Sequence, residues 1–245
     1  MQEPAGFEII NGRAVMTDFS ALILNEHVWL QFPHVVFSGF VTAAMFVLGI
    51  SAYHLLRGNH IDFFKKSVKM SSIFGLISII LVIIIGHQQA QHMVRTQPMK
   101  MASAEALWNS EDPASFSLIS IIDEKNMEDV FSIRIPGALS FLSYNKFSGE
   151  VKGIHDLQAE FEEMYGEGDY VPPVTLNYWS FRVMVGSGFL LVLVFAIYPF
   201  MKWRKKNFSE FRFLNLLPFA IALPYLANTA GWFLTEFGRQ PWVVY

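Results

Sequence analysis

Two groups of residues in this sequence have side chains suited to iron or proton chemistry. His34 lies within one turn of the end of an apolar run, and Met184 lies about two turns into another. A helical turn rises about 5.4 Å, so two touching helices would bring these side chains to one depth. Histidine nitrogen and methionine sulfur together fill both axial positions of heme iron in electron-transfer cytochromes. Arg182 precedes Met184 by two residues, and its guanidinium is suited to gripping a propionate. The plainer reading makes His34 a hydrogen-bonded helix residue, Met184 one of 11 packing methionines and Arg182 an interfacial arginine. Depth singles out Met184, because Met45 falls mid-span and Met201 at the opposite end.

The second group is in the closing run GWFLTEFGRQPWVVY, residues 231–245. Trp232 and Glu236 stand one helical turn apart, with Arg239 just beyond them. A charged residue costs roughly 2.5–3.5 kcal/mol at the centre of a membrane helix and less near its ends. An interfacial Glu–Arg pair with a belt tryptophan explains the pattern without function. The functional reading makes Glu236 an oxygen ligand or proton carrier, and Arg239 the neutraliser of a cofactor's acidic groups. Pro241 ends the helix, since the residue before proline disfavours helical dihedrals. His87 and His92 are five residues apart, on different faces of a helix, and read as a polar cap.

The elements that must position these residues are membrane spans. Only 16% of the 245 residues are charged and 53% are hydrophobic, where a soluble domain has about a quarter charged. Four apolar segments, about 31–56, 70–85, 178–201 and 213–237, have roughly spanning length. The expected fold is therefore all-α, a polytopic transmembrane bundle of four spanning helices with a long extracytoplasmic loop. Basic residues cluster between spans one and two (Arg57, Lys65, Lys66, Lys69) and between three and four (Lys202, Arg204, Lys205, Lys206, Arg212). The positive-inside rule puts both loops in the cytoplasm. Residues 87–177, rich in Asp and Glu, then lie outside, and a loop of that length is expected to be functional. The organisation reads as a surface segment 1–30 containing a surface helix, a helix pair 31–86, the loop 87–177 and a second helix pair 178–245. A net charge of −3 excludes a nucleic-acid partner, and the absence of cysteine excludes thiolate metal sites and disulfides within the chain.

Four stretches carry a closer likeness. QFPHVVFSGFVTAAMFVLGISAYHLLRG, QPMKMASAEALW, FRVMVGSGFLL and GWFLTEFGRQPW together resemble subunit I of cytochrome bd-type quinol oxidases, in that family's order and over essentially the whole chain. The GWxxxExGRQPW run is the most specific of them. The resemblance implies a terminal oxidase of the bacterial cytoplasmic membrane that oxidises quinol and reduces dioxygen to water. It implies a low-spin heme b, a high-spin heme b and a heme d, with electrons passing among them in that order. By position, His34 and Met184 match the low-spin heme ligands, with Arg182 beside it. Glu236 matches the ligand of the high-spin heme, Trp232 an aromatic between hemes, and Arg239 a propionate contact. Lys100 and Glu105 match positions implicated in quinol oxidation; without the family they would read as an ordinary solvated pair. A carboxylate beside a lysine offers a proton acceptor of tuned pKa. Partners implied are subunit II, a small accessory subunit and the lipid bilayer.

The likeness lacks the family's first four spans, which supply the histidine of the oxygen-reducing heme, and its final span. The expectation is a fragment of a longer subunit, or a naturally split gene, inactive alone, with the proximal ligand of heme d outside it. Two other classes compete on sequence grounds: a transporter or channel with Glu236 and Arg239 lining a polar pathway, and a structural membrane subunit without its own cofactor.

Overall fold

A computed structural model describes residues 4–208 and 214–241. Three of its helices are long and apolar enough to cross a membrane: α2 (Glu26–Leu56), α3 (Ile61–Thr96) and α7 (Val174–Trp203). They contain 31, 36 and 30 residues, each longer than the roughly 20 that a span requires. The second span runs well past the apolar residues 70–85 that marked it, because α3 carries its helix through the polar residues His87 to Arg95. The fourth expected span begins with two 3-10 turns, Leu214–Leu216 and Phe219–Ile221, and its α-helix, α8 (Ala222–Phe237), has 16 residues. At 1.5 Å per residue α8 is about 24 Å long. Pro218 and Pro224 lie in this segment, and each lacks the N–H that helical continuity needs. Arg212 and Trp242, read above from the sequence, lie outside the described residues.

The molecule is not wholly helical. The stretch FSALILNEHVWLQF, expected as a surface helix, forms the short α1 (Phe19–Ile23) and then the start of α2, and ahead of it lies a hairpin of β1 (Phe7–Ile10) and β2 (Arg13–Met16). Asn11 and Gly12 form the hairpin turn with φ of 54° and 74°. Asn-Gly is the dipeptide that such a two-residue turn favours. Asp18 caps α1 by accepting the backbone N–H groups of Ser20 and Ala21.

The 87–177 segment is equally structured. It holds α4 (Pro98–Glu105), a second antiparallel hairpin of β3 (Phe116–Asp123) and β4 (Glu128–Ile135), then α5 (Ala138–Tyr144) and α6 (Ile154–Tyr165). Asp123 sets the β3–β4 turn, its Oδ1 accepting from the backbone of Lys125 at 3.0 Å and Asn126 at 3.2 Å. Asp side chains that bond the chain just ahead of them are a standard turn device.

Two compact units emerge. One comprises Met1–Gln31, Gly86–Arg182 and Gly231–Tyr245; the other comprises Phe32–Ile85 and Val183–Ala230. The first has a core of Met99, Met101, Leu107, Leu139, Ile154 and Tyr178. The second packs Met45, Leu48, Ala52, Leu191 and Phe195. In that second unit a Cβ on Gly75 would lie 2.2 Å from the Phe195 ring, so the missing side chain is what lets α3 and the ring approach.

Candidate functional site

The helix α4 is buried on all sides. Met99 through Glu105 are all inaccessible or nearly so, Lys100 and Glu105 included. Pro98 starts the helix, where its missing N–H costs nothing. Ala106 ends it in the left-handed region at φ 46°. Burying two ionisable side chains on one short helix is costly unless each finds compensation, and the two find it in different places.

Glu105 is fully buried and accepts a two-pronged grip from Arg182. Arg182 Nη2 donates to Oε2 at 2.8 Å and Nη1 to Oε1 at 3.1 Å. The backbone N–H of Ser117 also donates to Oε2, at 3.1 Å. Arg182 in turn donates to the carbonyls of Ala104 and Ser117, and its cation sits 4.2 Å from the Tyr178 ring centre. Burial pushes the Glu105 carboxyl above the ordinary carboxylate range, with Arg182 and then Arg134 opposing. Arg134 braces the same corner: its Nη2 donates to the Ala106 carbonyl at 2.6 Å and pairs with Asp129 at 2.8 Å. Asp129 also accepts from Trp108 Nε1 at 3.1 Å.

Lys100 is five residues from Glu105, which turns it to another face of α4. It is 6% exposed, and its charge neighbours are Arg239 and Glu236, which form an ion pair one helical turn apart. Burial first, then the Arg239 cation, lowers its pKa to about 8 against the pull of Glu236. The Lys100 stem packs on Gly238, where a Cβ would stand 2.9 Å from Cγ and 3.2 Å from Cδ. The lysine and carboxylate expected side by side therefore belong to two sub-sites, one closed by Arg182 and the other by the 236–239 pair.

His34 on α2 and Met184 on α7 belong to the second unit, both half-buried. His34 Nδ1 is buried without a hydrogen-bond partner. Trp232 is exposed, and its ring is tilted 46° against that of Phe233. His87 bonds Asn145 at 2.7 Å, whereas His92 lies 3.9 Å from Glu26 and beside the His27 ring, so they face different ways as their spacing requires. Arg134, Ser117 and Tyr178 were not singled out by sequence reasoning. Ser117 and Arg134 reach Glu105 only through hairpin pairing, which places Ser117 opposite Arg134.

The family described as cytochrome bd terminal oxidase subunit I matches residues 1–245. The chain belongs to that family. It is 49% identical over its whole length to cytochrome bd ubiquinol oxidase subunit 1 of Bacillus subtilis (strain 168), covering 52% of that protein. It is 31% identical to cytochrome bd-II ubiquinol oxidase subunit 1 of Escherichia coli (strain K12), covering all of this chain and 59% of the other. Among solved structures, the bd oxidase from Geobacillus thermodenitrificans superposes with a TM-score of 0.85 at 28% identity, over 99% of this chain and 54% of its own. The chain spans about half the length of the bd oxidase relatives it matches. GWFLTEFGRQPW and QPMKMASAEALW, which carries the buried charges of α4, both lie within the matched residues.

Proposed function

We propose that this chain is part of a quinol-oxidising, dioxygen-reducing terminal oxidase of a bacterial cytoplasmic membrane, working with subunit II and a small accessory subunit. The 87–177 segment is its extracytoplasmic quinol-binding part, and four spans, α8 completing the fourth, anchor it. The observation that carries the reading is Glu105, a carboxyl buried to zero exposure yet held in a charged fork. Oxidising a quinol releases two protons with two electrons. A carboxylate whose pKa is raised by burial is better suited than an exposed one to take one of those protons. Lys100, with a pKa of about 8, keeps a cation near the 236–239 pair at neutral pH.

Hemes, when bound, supply the one-electron chemistry and the reduction of dioxygen. The residues present fit such groups. His34 keeps a buried ring nitrogen with no partner, and it would ligate a low-spin heme b together with the thioether of Met184. Glu236 keeps Oε1 outside its ion pair, as the ligand of a high-spin heme b requires. Arg182 and Arg239 each retain a buried Nε without an acceptor, the kind of donor that propionates satisfy. Trp232 is the aromatic proposed for electron transfer between hemes.

The test is quinol-driven oxygen consumption by the complete oxidase carrying Glu105→Gln. The reading predicts a loss of at least about 100-fold in turnover, the lower range for removing a general base. Turnover at the wild-type rate contradicts it.

A further inference from the structure

Helix α7 ends on a lysine where glycine is the usual residue. The Lys206 N–H donates to the Met201 carbonyl at 2.9 Å and the Lys205 N–H to the Lys202 carbonyl at 3.0 Å. This pair of bonds closes many helices, and the residue at its centre takes left-handed dihedrals. Lys205 holds that position with φ 55°. Glycine adopts such dihedrals freely, whereas a lysine there is strained. Ending the helix needs no side chain at 205, so the one present calls for another reason.

Lys205 lines a cavity of about 290 Å³ within the second unit. Lys202 and Lys206 line it from the same end of α7, and Lys65 lines it from α3. Val68, Met201 and Phe208, all buried, supply apolar lining, and the Tyr198 ring beside them lies 5.9 Å from that of Phe208. No Asp or Glu lines the cavity, and among the described residues none of the four lysines pairs with a carboxylate. Four cations around one cavity repel one another, and an anion seated among them relieves the repulsion. Two plainer causes account for only part of this. A helix C-terminus favours cations in its last turn, which covers the lysines of α7. Lys65 comes from the opposite pole, one turn into α3, where the dipole gives a cation no advantage. The positive-inside rule asks for lysines near the cytoplasmic end of a span, but not for their convergence on a cavity.

The surroundings say which anion fits. Helix α7 is long and apolar enough to cross a membrane, and Phe200 and Trp203 near its end are exposed, with ring centres 6.0 Å apart. Exposed aromatic rings at the end of a span sit at headgroup depth. The basic loops assign this end to the cytoplasmic leaflet, the one that carries anionic lipid. A cavity of this volume is at the low end for a small-molecule site and takes a headgroup rather than a whole lipid. We infer that Lys65, Lys202, Lys205 and Lys206 bind the headgroup of an anionic phospholipid, their ammonium groups donating to its phosphate. A zwitterionic lipid carries a cation beside its phosphate, which the same four lysines repel.

The experiment titrates the complete oxidase in detergent with phosphatidylglycerol bearing a photoreactive group near its headgroup. Peptide mass spectrometry then reads the labelling of residues 198–208. Lys205→Gly is the central variant, because it removes one charge while suiting the backbone, and its melting temperature should equal or exceed that of the wild type. A lysine near an anionic headgroup is worth about fivefold in affinity. Half-saturation should therefore rise about fivefold in Lys205→Gly and about 25-fold in Lys65→Gln combined with Lys202→Gln. Lys66→Gln, on α3 but outside the cavity, should match the wild type. Phosphatidylcholine with the same reactive group should label the segment far less, and excess inorganic phosphate should leave the labelling in place. Wild-type half-saturation in both cavity variants overturns the site. An equal loss in Lys66→Gln overturns it in favour of general surface charge, and equal labelling by phosphatidylcholine overturns the headgroup selectivity. Displacement by inorganic phosphate overturns the lipid as occupant in favour of a free anion.

Discussion

Arg182 and Glu105 meet in a bidentate pair buried on both sides, with contacts of 2.8 and 3.1 Å and side-chain exposures of 10% and 0%. Removing one member of such a pair strands the other's charge, at a cost of roughly 3–5 kcal/mol. Arg182→Gln in the complete oxidase is therefore expected to lower thermal stability by an amount of that size. Adding Glu105→Gln should recover much of it, because a neutral amide needs no counter-charge. Thermal unfolding of the two single variants and the double variant checks this. Additive losses would show that the two side chains do not act as a pair.

Lys100 predicts a pH dependence of stability. Its pKa falls from the ordinary 10.5 to about 8 in the folded protein, so between these values the unfolded chain binds more protons. Stability then rises with pH across this window, is complete above 10.5, and is lost as the pH falls through about 8. The difference is worth on the order of 3 kcal/mol. Melting temperatures measured from pH 7.5 to 10.5 should rise in the wild type relative to Lys100→Met, which lacks the titrating group. Parallel curves would place Lys100 in water rather than in the α4 core.

Gly238 is a contact residue for the Lys100 stem. A Cβ there would stand 2.5 Å from the Leu234 carbonyl oxygen and 2.9 Å from Lys100 Cγ. The carbonyl accepts the Gly238 N–H within α8's last turn and has little room to retreat. Gly238→Ala should cost about 1–3 kcal/mol as overpacking and reduce quinol turnover by displacing Lys100. Shortening the lysine relieves half of the clash, so Gly238→Ala with Lys100→Ala should be less damaging than the sum. A double-mutant cycle gives the coupling, expected at about 0.5 kcal/mol or more.

Three of the four expected spans were legible because their signal is composition sustained over twenty or more residues, as in the segment 31–56. Ends were less so: α3 continues into HQQAQHMVRT because helix propensity and local polar partners, such as His87 with Asn145, replace apolar burial there. Both hairpins were missed. The first carried a readable sign in Asn11-Gly12; the second hid its pattern because the bulge at Ser117 breaks the alternation of inward and outward residues. Lys100, Glu105, Arg182, Glu236 and Arg239 were named through family likeness, and how they pair was not legible at all. Glu105 meets Arg182 across 77 positions and Lys100 neighbours Glu236 across 136, distances over which no local spacing rule operates. Arg134 gave no sign at all, since only strand pairing brings it to the α4 terminus.

The claim that this chain holds a His/Met heme fed by quinol is tested most directly by one spectrum. The reduced-minus-oxidised difference spectrum of the complete oxidase is recorded for the wild type and for Met184→Leu, at equal protein. Loss of the low-spin heme b signal, or its conversion to a high-spin form, is the predicted result, because leucine offers the iron no sulfur. A low-spin heme b spectrum unchanged by the substitution would contradict it.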